Sequence, residues 1–144
     1  MGWLARLLPP GHTVPPAVRF ANGVSLADRA VVSPAEGSGA RVYLQWELVD
    51  DAGNEAHVFN HIYDAAGRRV GQVDTELCPR AGWRAGVRVW TWFDVPAELA
   101  DALAGGTAYT VRSGLYTYPD IANIPVVGTD GQVEGDGVEW TLAR

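Results

Sequence analysis

The sequence has a single cysteine, no lysine and no long apolar run, and each shortage excludes a class of protein. With Cys78 alone, no disulfide can form within the chain, so a small disulfide-stabilised module is excluded. No stretch approaches the roughly 20 consecutive apolar residues that a membrane-spanning helix needs. All 11 basic residues are arginines scattered along the chain, which is typical of a GC-rich coding bias rather than of an anion-binding cluster.

Basic residues are also fewer than acidic residues, 11 against 17. The 144 residues carry a net charge of −6 at pH 7, and an acidic surface repels phosphate backbones. We therefore expect no nucleic-acid partner. The hydrophobic fraction of 47% and the charged fraction of 19% are typical of globular proteins, and the length suits one domain.

Common catalytic and cofactor motifs are missing as well. The chain has no nucleophile elbow, no phosphate-binding loop and no dinucleotide-binding glycine pattern. His57 and His61 are four residues apart, but on a strand that spacing separates them by about 13 Å, too far for one metal ion to bridge. The sequence thus predicts no catalytic residue, no metal site and no cofactor. A hydrolase or lyase with carboxylates in unrecognised positions stays open as an alternative.

The dominant hydrophobic period is two, which predicts β-strands. In residues 41–50 every second side chain is apolar, which indicates a half-buried antiparallel strand. The turn-rich residues 50–55 favour a hairpin into residues 56–64, and residues 64–67 favour a second turn into residues 68–76, so the three strands are predicted to form a meander. Further strands are predicted at residues 18–21, 24–32, 87–95, 108–118 and 137–142.

One short helix is predicted at residues 96–103, with Pro96 at the first helical position and two glycines ending it. Many short strands with turn signals every eight to twelve residues are typical of sandwiches. We predict an all-β fold, a two-sheet antiparallel β-sandwich (immunoglobulin-like or jelly-roll-like) of about eight or nine strands. A proline-rich arm at residues 1–16, too short and abruptly ended for a signal peptide, precedes a single domain at residues 17–144. We expect this arm to pack on the domain or on a partner.

A set of short motifs runs in order through this domain. They are FANGVSL at 20–26, LQW at 44–46, VFNHIYD at 58–64, GRRVGQ at 67–72, GTAYTVRSGLY at 106–116 and DGQVEG at 130–135. Their order resembles the C-terminal β-sandwich domain of bacterial polytopic membrane glycosyltransferases, the mannosyltransferase and aminoarabinose-transferase-like proteins that use lipid-linked sugar donors. The resemblance covers about residues 18–143.

The chain departs from that family at several positions. Ser113 stands where an apolar residue is expected, residues 118–125 differ from the usual polar turn, and Trp90 and Trp92 replace polar residues. The membrane-embedded catalytic region is absent, so neither transferase activity nor catalytic residues carry over. The resemblance implies a non-catalytic accessory domain in the cell envelope, outside the cytoplasm. Membrane association would come only through a fused or neighbouring membrane protein.

The strongest candidate for a binding surface is the strand around the two adjacent tryptophans. Alternation places residues 87, 89, 91 and 93 towards the core and Arg88, Trp90, Trp92 and Asp94 on the other face. Exposed indole rings stack on the apolar C–H faces of sugars, while polar neighbours bind the hydroxyls. The alternative is that the N-terminal arm or a second subunit covers both rings.

The leading hypothesis is therefore a non-catalytic accessory or binding module that takes a glycan. Its candidate ligand-binding residues are Trp90, Trp92, Arg88, Tyr116 and His61. The alternative is a protein–protein interaction or oligomerisation domain whose tryptophan face docks a partner protein or another copy.

Overall fold

Two antiparallel β-sheets make up most of the chain that the computed structural model describes, namely residues 12–33, 39–49, 56–77 and 84–143. Their inward side chains meet in one shared hydrophobic core. The predicted all-β, two-sheet antiparallel sandwich is confirmed.

The six-stranded sheet, here sheet A, has the order β10-β9-β1-β2-β3-β6. Its strands are β1 (Val18–Phe20), β2 (Ser25–Val32), β3 (Arg41–Glu47), β6 (Arg88–Asp94), β9 (Val126–Val127) and β10 (Val133–Gly135). The five-stranded sheet, sheet B, has the order β11-β7-β4-β5, with β8 beside β7. Its strands are β4 (Ala56–Tyr63), β5 (Arg69–Glu76), β7 (Tyr109–Thr117), β8 (Asn123–Ile124) and β11 (Val138–Leu142). The described residues thus hold more strands than predicted, because β8, β9 and β10 are too short to show a period in the sequence.

The predicted meander is wrong in its first hairpin. β3 pairs with β2 and β6 in sheet A, whereas β4 pairs with β5 and β7 in sheet B. Alternation along a strand shows which side chains face the core, but not which of two facing sheets the strand joins. The chain therefore crosses between sheets after β3, and residues 50–55 lie outside the described residues. The second predicted hairpin, β4 to β5, is confirmed.

The helix lies close to its predicted place. α1 spans Ala97–Ala104, with Pro96 at the N-cap rather than at the first helical position, and Gly105 follows its last turn. Leu99, Ala100 and Leu103 face the core. α1 therefore adds apolar side chains to the space between the two sheets.

The outward-facing side chains of β3 are more deeply buried than their polarity predicts. Tyr43 and Gln45 are both buried, as is Asp28 opposite Gln45 on β2. His12 lies over this part of the sheet, with its Nε2 atom 3.0 Å from an Asp28 carboxylate oxygen. The segment before β1 is thus anchored to the outer face of sheet A. Residues 1–11 of the arm predicted at residues 1–16 lie outside the described residues.

Candidate ligand-binding site

Strand β6 alternates as the sequence predicts. Thr91 and Phe93 are buried, whereas Arg88, Trp92 and Asp94 are exposed. Thr91 is tolerated in the core because its hydroxyl accepts a hydrogen bond from the Trp46 indole N–H at 2.9 Å. The polar face of β6 therefore points outwards along one margin of sheet A, where β6 is the terminal strand of the described sheet.

Trp92 is the centre of this margin, and 48% of its surface is exposed. The guanidinium carbon of Arg41 lies 3.9 Å from the centre of the indole ring, close enough for a cation–π contact. Arg41 also donates two hydrogen bonds to Asp94, from Nε at 2.8 Å and from Nη2 at 3.3 Å. These bonds to Asp94 raise the pKa of Arg41, so its guanidinium keeps its charge at any pH the protein would meet.

Strand register explains why these three side chains meet. Arg41 stands opposite Asp94, and Tyr43 stands opposite Trp92, in the antiparallel pairing of β3 with β6. Opposed side chains lie on the same face of a sheet. We call the half-buried Arg41 and the exposed Trp92 and Asp94, together with the neighbouring buried Tyr43, the Trp92 surface.

Trp90 and Arg88, the other two predicted residues on β6, lie beside the Trp92 surface. Trp90 is half-buried, with its ring edge-on to Tyr43 at a centroid distance of 6.1 Å and an angle of 85°. Arg88 is exposed and lies 3.5 Å from the Glu47 carboxylate. Trp90 thus supports Tyr43 from the side, and Arg88 adds a second charged pair along the same margin.

A pocket adjoins the Trp92 surface. Its volume is about 300 Å³, and its lining combines the apolar residues Val32, Ala40 and Val95 with polar groups of the Trp92 surface. Arg41, Tyr43 and Asp94 line it directly. A concave apolar site with a few convergent polar groups is the common form of a small-molecule site.

Tyr116 and His61 lie elsewhere. Both project from the outer face of sheet B, so the structure does not bring them together with Trp90, Trp92 and Arg88. There they belong to a row of rings in which His57 lies 4.7 Å from Tyr118 and 5.5 Å from Tyr116. The Tyr116 hydroxyl donates a hydrogen bond to Asp74 at 3.1 Å. The predicted set of five residues is therefore divided between two outer faces of the sandwich.

The ionisable groups of this second face are shifted from their ordinary pKa values. Burial, and then the negative charge of Asp74, raise the pKa of Tyr116, which keeps the phenol protonated. Burial lowers the pKa of His61, and the positive charge of Arg69 lowers it further. The His61 imidazole therefore loses its proton more readily than an exposed histidine does, on a face where Asp74 and Tyr116 share a hydrogen bond.

The sequence analysis missed Arg41 and Tyr43 as members of the site. Their period-two spacing places them on one face of β3, but it does not show that β6 is the neighbouring strand. Once β3 and β6 are paired, the register fixes the Arg41–Asp94 and Tyr43–Trp92 neighbours without further information.

The described part of the chain lacks two further features. No group of three or more histidine, cysteine or acidic side chains there is arranged to hold a metal ion. No helix in those residues is both long and apolar enough to cross a membrane. Cys78 lies outside the described residues.

No protein-family model matches the sequence, and no curated protein matches it. The likeness to the C-terminal domains of membrane glycosyltransferases therefore stays a prediction that depends on the motif order alone.

Proposed function

We propose that this chain is a non-catalytic binding module that takes a carbohydrate at the Trp92 surface. The observation that supports this most directly is the half-exposed indole beside a fixed Arg41–Asp94 ion pair. A sugar ring has apolar C–H faces that pack on indole and hydroxyl groups that pair with a guanidinium and a carboxylate. The surface offers both kinds of partner within one strand pair.

The arrangement is held in place before any ligand arrives. Asp94 and the indole ring both contact Arg41, so the guanidinium is fixed from two sides. A polar group fixed in the free protein loses less conformational entropy when a ligand binds. The neighbouring pocket of about 300 Å³ supplies apolar walls beside these polar groups.

The biological setting we propose is cell-envelope glycosylation, with the chain acting as an accessory domain outside the cytoplasm. The motif order that resembles the soluble domain of membrane glycosyltransferases supports this setting. Fusion or gene adjacency to a polytopic membrane transferase in related genomes would support it. Consistent adjacency to cytoplasmic enzymes would contradict it.

Sugar binding is tested with one variant on each outer face. Trp92→Ala removes the indole, and Tyr118→Ala is the matched control, because 48% of Trp92 and 52% of Tyr118 is exposed. In titrations with a panel of neutral and acidic oligosaccharides, we expect Trp92→Ala to weaken binding by at least about tenfold. Tyr118→Ala should leave binding unchanged.

Three outcomes would contradict the proposal. One is that the wild-type chain binds no member of the panel. Another is that Trp92→Ala binds sugar as well as the wild type does. The third is that Tyr118→Ala alone abolishes sugar binding. The last result would indicate that the sugar-binding site lies on the outer face of sheet B. Both substitutions are at exposed positions, so each should change the free energy of unfolding by less than about 1 kcal/mol.

A further inference from the structure

The charges of the Trp92 surface are balanced within the protein. Arg41 and Asp94 form one ion pair, with Nε and Oδ1 2.8 Å apart. Arg88 and Glu47 form a second pair along the same margin, with Nη2 and Oε2 3.5 Å apart. The two pairs together carry no net charge. A bound anion would therefore meet no cation at these four residues that lacks a negative partner.

The Arg41 guanidinium already has partners on several sides. Its Nε and Nη2 atoms donate to the two carboxylate oxygens of Asp94, and a further hydrogen bond joins it to the Tyr43 side chain. Its carbon lies 3.9 Å from the centre of the Trp92 ring, so the cation covers one face of the indole. A second anion would have to replace the contacts that Arg41 makes with Asp94. Arg41 therefore offers little to an anionic ligand.

Asp94 can accept more hydrogen bonds than Arg41 supplies. An ionised carboxylate accepts about four, and Arg41 donates two. Because 64% of the Asp94 side chain is exposed, its carboxylate is accessible to a hydroxyl group of a ligand. A hydroxyl that donates to a carboxylate forms a charge-assisted hydrogen bond, which is about twice as strong as a neutral one. Asp94 thus provides a strong acceptor for hydroxyl groups beside the exposed part of the indole.

A second acidic side chain lies near the same ring. A groove of about 450 Å³ is lined by Trp92 and Asp94 of β6 and by Glu76 of β5. Glu76 is exposed, so it adds negative charge to this side of the Trp92 surface. The net charge of the whole chain, −6, has the same sign. Negative charge around a binding surface lowers the local concentration of anionic ligands.

Building on the carbohydrate function proposed above, we propose that the Trp92 surface binds neutral sugars and rejects acidic ones, and that Asp94 determines this preference. The hydroxyls of a neutral sugar donate to Asp94, while a C–H face of the ring packs on the exposed part of the Trp92 indole. An acidic sugar instead brings its own carboxylate towards Asp94 and Glu76, and the like charges repel. Such a repulsive element is a common source of specificity between similar ligands.

Sugar pairs that differ only in charge test this preference. Trisaccharides of glucose, mannose and galactose are compared with the triuronates of the same sugars, which carry a carboxylate in place of each C6 hydroxymethyl group. Isothermal titration calorimetry of the full chain gives the dissociation constant of each complex. We expect the wild-type chain to bind at least one neutral trisaccharide at least about tenfold more tightly than the corresponding triuronate.

Asp94→Asn removes the negative charge and keeps a side chain of nearly the same shape. The Arg41 cation then lacks its partner, so we expect triuronate binding to strengthen by at least about fivefold and neutral-sugar binding to weaken by at least about threefold. Adding Arg41→Gln to Asp94→Asn should cancel the gain in triuronate binding. Glu139→Gln is the matched control, because Glu139 is exposed and stands opposite Arg112 in the pairing of β11 with β7. It removes the same charge from the other sheet and should leave the preference unchanged.

Near-ultraviolet circular dichroism verifies that each variant keeps its fold, and the wild-type comparison depends on no variant. A wild-type chain that binds a triuronate as tightly as its neutral counterpart, or more tightly, would overturn the neutral-sugar preference but not the carbohydrate function. An Asp94→Asn chain that gains no triuronate binding would overturn the role given to Asp94. A wild-type chain that binds neither class of sugar would overturn the preference and the carbohydrate function together.

Discussion

His61 shows how the surroundings of one residue set a pH response. Burial lowers its pKa below 6.5, and the neighbouring Arg69 charge acts in the same direction. In the unfolded chain the imidazole regains its ordinary pKa, so below about pH 6.5 the unfolded state binds the proton more readily. The free energy of unfolding should therefore fall as pH decreases from 6.5 through the lower folded pKa.

Two measurements check this pH response. Imidazole signals in an NMR titration should place the midpoint of His61 below 6.5 in the wild-type chain. Arg69→Gln should move that midpoint upwards and flatten the pH dependence of the thermal midpoint between about pH 5 and pH 7, because it removes a positive neighbour. A wild-type His61 that titrates at or above 6.5 would contradict the argument.

Strands β11, β7, β4 and β5 are connected through side chains as well as through their backbones. The Trp140 indole N–H donates to Ser113 Oγ at 2.9 Å, and Ser113 Oγ–H donates to Asn60 Oδ1 at 2.7 Å. The Asn60 amide then donates to the Val73 carbonyl at 3.3 Å. Ser113 and Asn60 are buried, so each polar atom depends on its neighbour rather than on water. This explains why a serine stands where an apolar residue is expected.

Ser113→Ala should break this chain of bonds at its centre. The substitution leaves an indole N–H and an amide oxygen without partners, at a cost of about 1–3 kcal/mol for each buried group. Chemical denaturation measures the loss. Thr110→Ala is the control at an exposed position on the same strand, and it should change stability by about 0.5 kcal/mol or less. Equal effects of the two substitutions would show that the buried bonds contribute nothing.

At the level of strands, the sequence predicts which side chains of a strand face the core. It does not predict which strands pair with each other. The period of two identified β2, β3, β4, β6 and β7, and it placed Trp92 outwards and Phe93 inwards. It could not place Tyr116 and Trp92 on different sheets, because both alternate in the same way along their own strands. The Arg41–Asp94 contact joins residues 53 positions apart, so it depends on strand order, which local patterns do not encode.

At the level of the whole molecule, both sheets supply one core, so we expect one cooperative unfolding transition. Leu44 of β3 and Leu115 of β7 are fully buried in the same cluster. The guanidinium carbon of Arg29, on β2 of sheet A, lies 5.8 Å from the ring centre of Trp140, on β11 of sheet B. Leu44→Ala and Leu115→Ala should each lower the free energy of unfolding by about 2–5 kcal/mol. Because the sheets depend on each other, either substitution should accelerate amide hydrogen exchange in β3 and β7 alike. Faster exchange confined to the substituted sheet would show instead that each sheet is stable alone, and the shared core would then be no more than an interface between two separate units.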